Sequence, residues 1–350
     1  MNTIYKVFTL LILFVLIFKE IFAQPVKNSI SGMVLDIATK EPLSNVNIYI
    51  SNTTWGTASN SYGRFRLSQI LPGSHEIVFS MIGYQSQSRK IKLDDSSQIY
   101  LTIEMIPKIY NIKEITVIAN RPDEWFDDLA VFKKKFLGYS PYSINCKIIN
   151  EYVLNFSHPR KDFLVAESDY PIEIINYDLG YNLKVEIDKF EYDLKTRSSR
   201  FAYRIFFTEL DTNDSDVKDQ WKRQRQKKFK ESLSYFFRSL IEDKYHEEGF
   251  EIALVYKPGN KGLEILSSPE LIEEDTTNGI YKIHFTDFLQ VINTNIKIEK
   301  SMTSWIKLNY STISIDKYGY PLENNAITLS GYWSKLGIAS FLPKYYAFIK

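Results

Sequence analysis

The sequence predicts a mainly β protein, with an antiparallel β-sandwich of about seven strands first and a β-rich α+β domain with one short and one long helix after it. Three observations support this fold class. Apolar and polar residues alternate in short runs over most of the chain, turn residues separate these runs, and helical periodicity is confined to residues 125–137 and 216–247. With 350 residues, the chain is long enough for two domains with separate cores.

Residues 1–23 have the pattern of a secretory signal peptide. One basic residue, Lys6, precedes the apolar stretch from Val7 to Phe18, and a short segment ending at Ala23 follows. A bilayer-spanning helix needs about 20 apolar residues, so this stretch is short for a permanent anchor. We therefore expect cleavage after Ala23 and export to the periplasm or the outer membrane, with an uncleaved anchor as the alternative.

The composition excludes several function classes. Without residues 1–23 the chain has 41 basic and 41 acidic side chains, and this balance gives no electrostatic footprint for nucleic acid. The single cysteine, Cys146, excludes an intrachain disulfide, and its position excludes lipidation at the cleavage site. No second apolar stretch approaches spanning length, so we expect membrane association only through the folded surface.

Residues 29–106 contain the strands of the predicted sandwich. A period of two places alternate apolar residues on one face of each run, and Pro72-Gly73 forms a turn between two runs. The apolar faces are Val46, Ile48 and Ile50; Phe65 and Leu67; Ile77, Phe79 and Met81; the last strands lie at 90–93 and 99–105.

The same segment resembles the carboxypeptidase regulatory-like domain, a transthyretin-like (prealbumin/Ig-like) β-sandwich frequent at the N-terminus of envelope proteins of Bacteroidetes. The matching positions are Gly32, Val34, Asp36, Pro42-Leu43, Val46, Thr53-Thr54, Gly56-Thr57, Gly63, Phe65, Leu67, Pro72-Gly73 and Gly83-Tyr84. The resemblance implies an accessory module without catalytic residues. Trp55, in a loop between two strands, is our candidate binding contact, and the alternative is a ring folded onto the sandwich edge.

Residues 107–122 are predicted to be a linker. The segment from Asn111 to Val117 is similar to the L-K-E-V-V-V segment that follows this domain in TonB-dependent transporters, and the alternative is a last strand or an extended linker. A transporter barrel of 22 strands, at about ten residues each, would nearly exhaust the 228 residues that remain. The sequence therefore excludes the transporter itself.

Residues 123–350 are predicted to form a β-rich domain with helices near 125–137 and 216–247. The first helix has an apolar stripe of Trp125, Leu129, Phe132 and Phe136, and the long helix has one of Phe229, Leu233, Phe236, Phe237 and Leu240. Four short motifs resemble the region that follows the regulatory-like domain in some Bacteroidetes proteins, a resemblance that implies no established activity. They are Phe132–Gly138, Ile174–Tyr181, Trp221–Arg225 and Phe236–Leu240.

A metallocarboxypeptidase would hold zinc with a His-x-x-Glu pair and a distant histidine. None of the four histidines, His75, His158, His246 and His284, has glutamate at the third following position. The chain also lacks a Gly-x-Ser-x-Gly elbow and a phosphate-binding glycine loop, and Cys146 is predicted to be a small buried residue. We therefore predict no catalytic residue, no metal ligand and no cofactor.

The 13 residues from Lys218 to Lys230 carry seven basic and one acidic side chain. They indicate either a solvated helix face or a surface for acidic lipid headgroups or a polyanionic glycan. The sequence predicts an exported, non-catalytic envelope protein, a binding or assembly module whose partner is unknown; an envelope glycan or an outer-membrane protein fits. The alternatives are a cryptic hydrolase of peptide or glycan in the second domain, and a small outer-membrane β-barrel or an accessory to TonB-dependent uptake.

Overall fold

The computed structural model describes residues 28–108, 121–259, 268–275, 279–294, 302–323 and 325–348. The predicted signal peptide, 1–23, and most of the predicted linker, 107–122, lie outside the described residues. The described residues form two compact units, which are treated separately below. One comprises 28–48 and 55–108, and the other 49–54 and 121–348.

The first unit is built from seven strands in two sheets, as predicted, although the last two residues of the second strand are grouped with the other unit. The strand orders are β4-β1-β7 and β3-β2-β5-β6, and β1 runs antiparallel to β4 and parallel to β7. The strands are β1 (Ser29–Asp36), β2 (Asn47–Ile50), β3 (Gly56–Ala58), β4 (Arg64–Ser68), β5 (Gly73–Ser80), β6 (Gln87–Leu93) and β7 (Gln98–Met105).

The core of the sandwich follows the predicted alternation. Ile30 and Val34 on β1 and Ile77 on β5 are fully buried, because a period of two turns alternate side chains to the same face. Phe65 on β4 packs edge-on against Phe79 on β5, with ring centroids 5.6 Å apart. Apolar burial between two sheets therefore holds this unit together.

The second unit contains thirteen described strands in three sheets. One sheet has the order β8-β11-β12-β10-β9, with β13 on the other side of β12; the others have the orders β14-β17-β18-β20 and β15-β16-β19. The strands are β8 (Cys146–Ile148), β9 (Leu154–Arg160), β10 (Phe163–Ser168), β11 (Ile172–Asn176), β12 (Tyr181–Asp193), β13 (Ser198–Glu209), β14 (Phe250–Val255), β15 (Ile272–Asp275), β16 (Ile280–Ile283), β17 (Phe288–Asn293), β18 (Thr303–Leu308), β19 (Ile313–Asp316) and β20 (Ile327–Gly331).

Helices of this unit are α1 (Asp123–Phe136), α2 (Ser215–Lys230), α3 (Leu233–Ile241) and the single turn α4 (Ser268–Leu271). Short 3-10 helices lie at Pro141–Ser143, Glu151–Val153, Trp333–Lys335, Ile338–Ser340 and Tyr346–Phe348. No helix in the described part of the chain is long and apolar enough to cross a bilayer.

The prediction of one long helix at 216–247 was wrong, because α2 and α3 are separate helices. Ser232 has extended backbone angles, and its Oγ accepts a hydrogen bond from the Tyr235 amide at 3.1 Å, so it caps the N-terminus of α3. Beyond Ile241, Asp243 adopts a positive φ of 53°, which ends the helical path. The predicted apolar stripe is correct for Phe236, Phe237 and Leu240, which are buried, whereas Phe229 and Leu233 are half-buried.

Two hydrophobic clusters form the core of the second unit. The first joins the apolar face of α1 to the six-stranded sheet and to Ile338 and Ala339. The second joins α3 to the strands after it and to Trp333. Between α1 and α3 in the chain, α2 contributes no residue to either cluster, and its buried side chains are Arg225 and Lys228.

Candidate functional site

Trp55, the predicted binding contact, is half-buried beside the sandwich. Its ring lies edge-on to the imidazole of His75, with centroids 5.9 Å apart, and His75 Nε2 lies 2.7 Å from the carbonyl oxygen of Leu71. The indole therefore rests on the unit with part of its surface in solvent. Its role in binding stays a prediction.

His158, His246 and His284 of the second unit have separate local surroundings. His158 pairs with Asp128 of α1 at 2.9 Å, His246 stacks near the ring of Tyr245, and His284 is exposed. Within the residues that the structure describes, no three His, Cys, Asp or Glu side chains converge as a metal ion would require.

Cys146 lies at the start of β8 and is buried. Burial raises the pKa of its thiol to about 12, and the nearby Asp178 carboxylate acts in the same direction. Because the thiolate is the reactive form, this environment makes Cys146 a poor nucleophile. The residue fills apolar space in the first hydrophobic cluster.

The turn between β11 and β12 is held by side-chain hydrogen bonds to backbone groups. Asn176 is buried; its Oδ1 accepts from the Leu179 amide at 3.0 Å, and its Nδ2 donates to the carbonyl oxygen of Ala339 at 2.8 Å. Gly180 closes the turn at a φ of 65°, where a Cβ would overlap the indole of Trp221. Glycine is therefore required here both by the backbone and by the neighbouring ring.

Two side chains of α2 bind this turn. Trp221 Nε1 donates to the carbonyl oxygen of Tyr177 at 2.8 Å. Arg225 donates to the carbonyl oxygens of Leu179 and Gly180 at 2.6 and 2.9 Å, and its guanidinium lies 3.9 Å from the ring centroid of Tyr181. The motifs at 174–181 and 221–225 are thus partners in one contact, and they hold backbone rather than a ligand.

One turn further along α2, Lys228 and Glu231 form a buried ion pair. Lys228 Nζ lies 3.2 Å from Glu231 Oε2, which also accepts from the Tyr332 hydroxyl at 3.2 Å. Desolvation lowers the pKa of Lys228, and the Glu231 carboxylate opposes that shift. Trp333 Nε1 donates to the Glu231 carbonyl oxygen at 2.9 Å, and the ring of Tyr142 lies 5.6 Å from Nζ. These contacts connect the end of α2 to both hydrophobic clusters. Tyr142 belongs to the first cluster, Trp333 belongs to the second, and Tyr332 packs against the second.

The exposed cations of α2 form the candidate interaction surface, which we name the cationic face. It comprises the exposed residues Lys218, Lys222, Arg223, Lys227 and Lys230. None of their side chains forms an ion pair with another residue of the described ranges. Of the seven basic residues noted in the sequence, two are thus committed to the interior and five face solvent.

The sequence did not reveal the inward role of α2. A signal existed, because Trp221, Arg225 and Lys228 follow one another at intervals of four and three residues and so share one face of a helix. That spacing separates the inward cations from the outward ones. Their contacts on the turn at 177–180 and on Tyr332 are distant in sequence, and periodicity carries no information about them.

A comparison with curated proteins yields no match. Among solved structures, the chain is similar to the major pilin subunit BcpA of Bacillus cereus (17% identity, 24% of this chain and 31% of that chain, TM-score 0.21). It is also similar to the pilus 2b backbone protein of group B streptococcus (16% identity, 23% and 41%, TM-score 0.20) and to the 5-hydroxyisourate hydrolase of Klebsiella pneumoniae (16% identity, 23% and 91%, TM-score 0.20).

The chain spans less than half the length of the two pilus proteins, and similarities with such TM-scores support no functional assignment. The family comparison is more specific. Residues 30–117, about a quarter of the chain, match the family model of the CarboxypepD_reg-like domain, as the resemblance predicted for this segment.

Proposed function

We propose that this chain is an exported, non-catalytic protein of the cell envelope, of the kind that carries this domain in Bacteroidetes, and that it serves as a binding or assembly module. The observation that carries the proposal is the match of residues 30–117 to the CarboxypepD_reg-like domain. The domain precedes most of the second unit in the same chain.

The chemistry of the second unit supports the same proposal. Buried charged groups of this unit already hold other parts of the protein: Arg225 binds two carbonyl oxygens, Lys228 pairs with Glu231, and Asp128 pairs with His158. A hydrolytic site would instead present a poised base beside an accessible nucleophile or water. We therefore assign the role of the second unit to its surface.

Cell fractionation with N-terminal sequencing tests the location. We expect the chain in the envelope fraction, beginning at Gln24; a chain that stays in the cytoplasm, or in the inner membrane with residues 1–23 attached, would contradict the proposal. Incubation of the purified protein with envelope glycans and peptides tests the absence of catalysis. Turnover that disappears when one polar cluster is changed would show a hydrolase instead.

A further inference from the structure

The cationic face of α2 differs in charge from the rest of its region. Residues 121–350 carry 32 basic and 34 acidic side chains, and the segment from Lys218 to Lys230 accounts for seven of the basic and one of the acidic ones. The remainder of the region is therefore acidic. A local positive surface on an acidic background attracts an anionic partner and orients the molecule towards it.

Four of the five cations point in similar directions. At 100° per residue, Lys222, Arg223, Lys227 and Lys230 fall within one broad arc of the helix, opposite Trp221 and Lys228. The stretch from Lys222 to Lys230 is about 12 Å long at 1.5 Å per residue. These side chains can therefore contact one extended anionic surface at the same time.

Exposed apolar residues border α2 where it meets the rest of the unit. The side chain of Ile144 is 80% exposed and that of Tyr177 is 48% exposed. The Tyr177 amide donates to the carbonyl oxygen of Asn145, next to Ile144, and the Tyr177 carbonyl oxygen accepts from Trp221. Tyr142, two residues before Ile144, lies beside Lys228. These contacts place both residues at the edge of the helix.

We propose that the cationic face, with Ile144 and Tyr177 at its margin, docks on the surface of a bilayer that contains anionic phospholipid. Positive side chains attract the headgroups, and an aliphatic or aromatic side chain gains by entering the boundary between headgroups and acyl chains. A polyanionic glycan would satisfy the lysines and arginine but would offer nothing to Ile144. The exposed apolar residue thus favours a lipid surface over a glycan.

This inference deepens the proposed function by naming its partner, and it rests on that function for the presence of the protein in the envelope. Binding to vesicles tests the surface independently of export, so the two ideas fail separately. The full chain is sedimented with vesicles of phosphatidylglycerol and phosphatidylcholine in equal parts, and with vesicles of phosphatidylcholine alone. Binding to the neutral vesicles measures any contribution of residues 1–23, which all variants share.

The test variant carries Lys222→Glu, Arg223→Glu and Lys227→Glu. Each charge near an anionic surface changes binding about fivefold, so we expect affinity for the anionic vesicles to fall about a hundredfold or more. The matched control reverses three exposed cations of the same unit at the turn between β12 and β13, Lys195, Arg197 and Arg200, with the same change in net charge. Arg225 of α2 pairs with Glu209 at the other end of β13, about 30 Å from Arg200 at 3.3 Å per residue. Because salt screens charges beyond about 10 Å, we expect the control to change affinity less than about threefold. Circular dichroism checks that both variants fold.

Two further measurements separate lipid from glycan. Ile144→Ser should weaken binding to anionic vesicles several-fold and leave binding to dextran sulfate, a soluble polyanionic glycan, unchanged. The proposal is overturned if the test variant and the control weaken vesicle binding equally, or if the wild-type chain does not prefer anionic vesicles. It is also overturned if Ile144→Ser leaves vesicle binding unchanged while the test variant loses dextran sulfate, since the partner would then be a glycan.

Discussion

The two units of this protein stabilise their folds by different means. In the sandwich, two sheets bury apolar side chains at a period of two, and backbone pairing between strands closes the structure. In the second unit, apolar clusters are joined by buried polar contacts, with Arg225 and Lys228 at their centre. Apolar alternation is a local property of the sequence, whereas the bonds from Arg225 to Leu179 and from Tyr332 to Glu231 join residues far apart in the chain.

The stability of the sandwich should be most sensitive to added side-chain volume at Gly32. A Cβ at this position would overlap the carbonyl oxygen of Leu101 on β7, next to which β1 runs parallel. We expect Gly32→Ala to lower the free energy of unfolding of the sandwich by about 5 kcal/mol, since neither backbone can move without breaking its pairing. Urea unfolding followed by circular dichroism measures this. Gly83→Ala, where a Cβ meets no atom within 4 Å, is the control and should cost about 1 kcal/mol. Equal losses for both variants would contradict the close approach of β1 and β7.

In the second unit, the largest effect is expected at Arg225. Arg225→Ala removes two hydrogen bonds from a charged donor and leaves the carbonyl oxygens of Leu179 and Gly180 without that donor. We expect a loss of about 4 kcal/mol in the free energy of unfolding. Arg223→Ala, on the exposed side of the same helix, is the matched control and should change stability by less than about 0.5 kcal/mol. If the two alanine variants unfold at the same urea concentration, α2 does not hold the turn in the way described.

The buried pair should show a smaller and partly reversible effect. Lys228→Met leaves the Glu231 carboxylate buried without its cation, so we expect a loss of about 3 kcal/mol. Adding Glu231→Gln removes the unpaired charge and keeps a side-chain oxygen that can accept from the Tyr332 hydroxyl, so the double variant should lie within about 1 kcal/mol of the wild type. Thermal or urea unfolding of the wild type and the two variants measures these differences. A double variant that is less stable than Lys228→Met alone would show that the charged pair stabilises the unit by more than an uncharged pair would.

A rise to alkaline pH should destabilise the second unit less than the substitutions above. Burial raises the pKa of Tyr142, Tyr181 and Tyr332 above the ordinary value of 10.0. The unfolded chain therefore loses these protons first, and stability that is present below about pH 10 is lost as the pH rises through the folded pKa values. Lys228, whose pKa is lowered, acts in the opposite direction as a single group. The urea concentration at the midpoint of unfolding should fall as the pH rises from about 10, and this fall should be less steep in Tyr181→Phe. A midpoint that does not change with pH would refute this.

The difference between the two units also explains which parts of the fold could be predicted from the sequence. The strands of the sandwich were predictable because Val46, Ile48 and Ile50 alternate with polar residues between turn signals. The division between α2 and α3 was missed although Ser232 is a good capping residue, because the apolar spacing from Phe229 to Phe236 continues across it. Periodicity reports a buried face, and it does not report a cap in the middle of that face.

The candidate surface was only partly predictable. The sequence showed the basic segment from Lys218 to Lys230, and the spacing of Trp221, Arg225 and Lys228 places these three residues on one helix face. It does not show that this face is the buried one, because their partners lie elsewhere in the chain. The exposure of Ile144 depends on the position of the 3-10 helix Pro141–Ser143 beside α2. No local sequence pattern predicts that position. Both facts come from tertiary structure.

Contacts between the beginning and the end of the second unit have a consequence for folding during synthesis. Ser340 donates a hydrogen bond to Ser140 across 200 positions, and Asn176 binds the carbonyl oxygen of Ala339 across 163. A chain that emerges from its N-terminus makes these contacts last, because loop closure over such separations is slow and needs both ends to be present. The hydrophobic cluster on the sheet from β8 to β13 therefore stays incomplete until Ile338 has left the ribosome. During that interval the unit depends on whatever keeps newly made chains from aggregating.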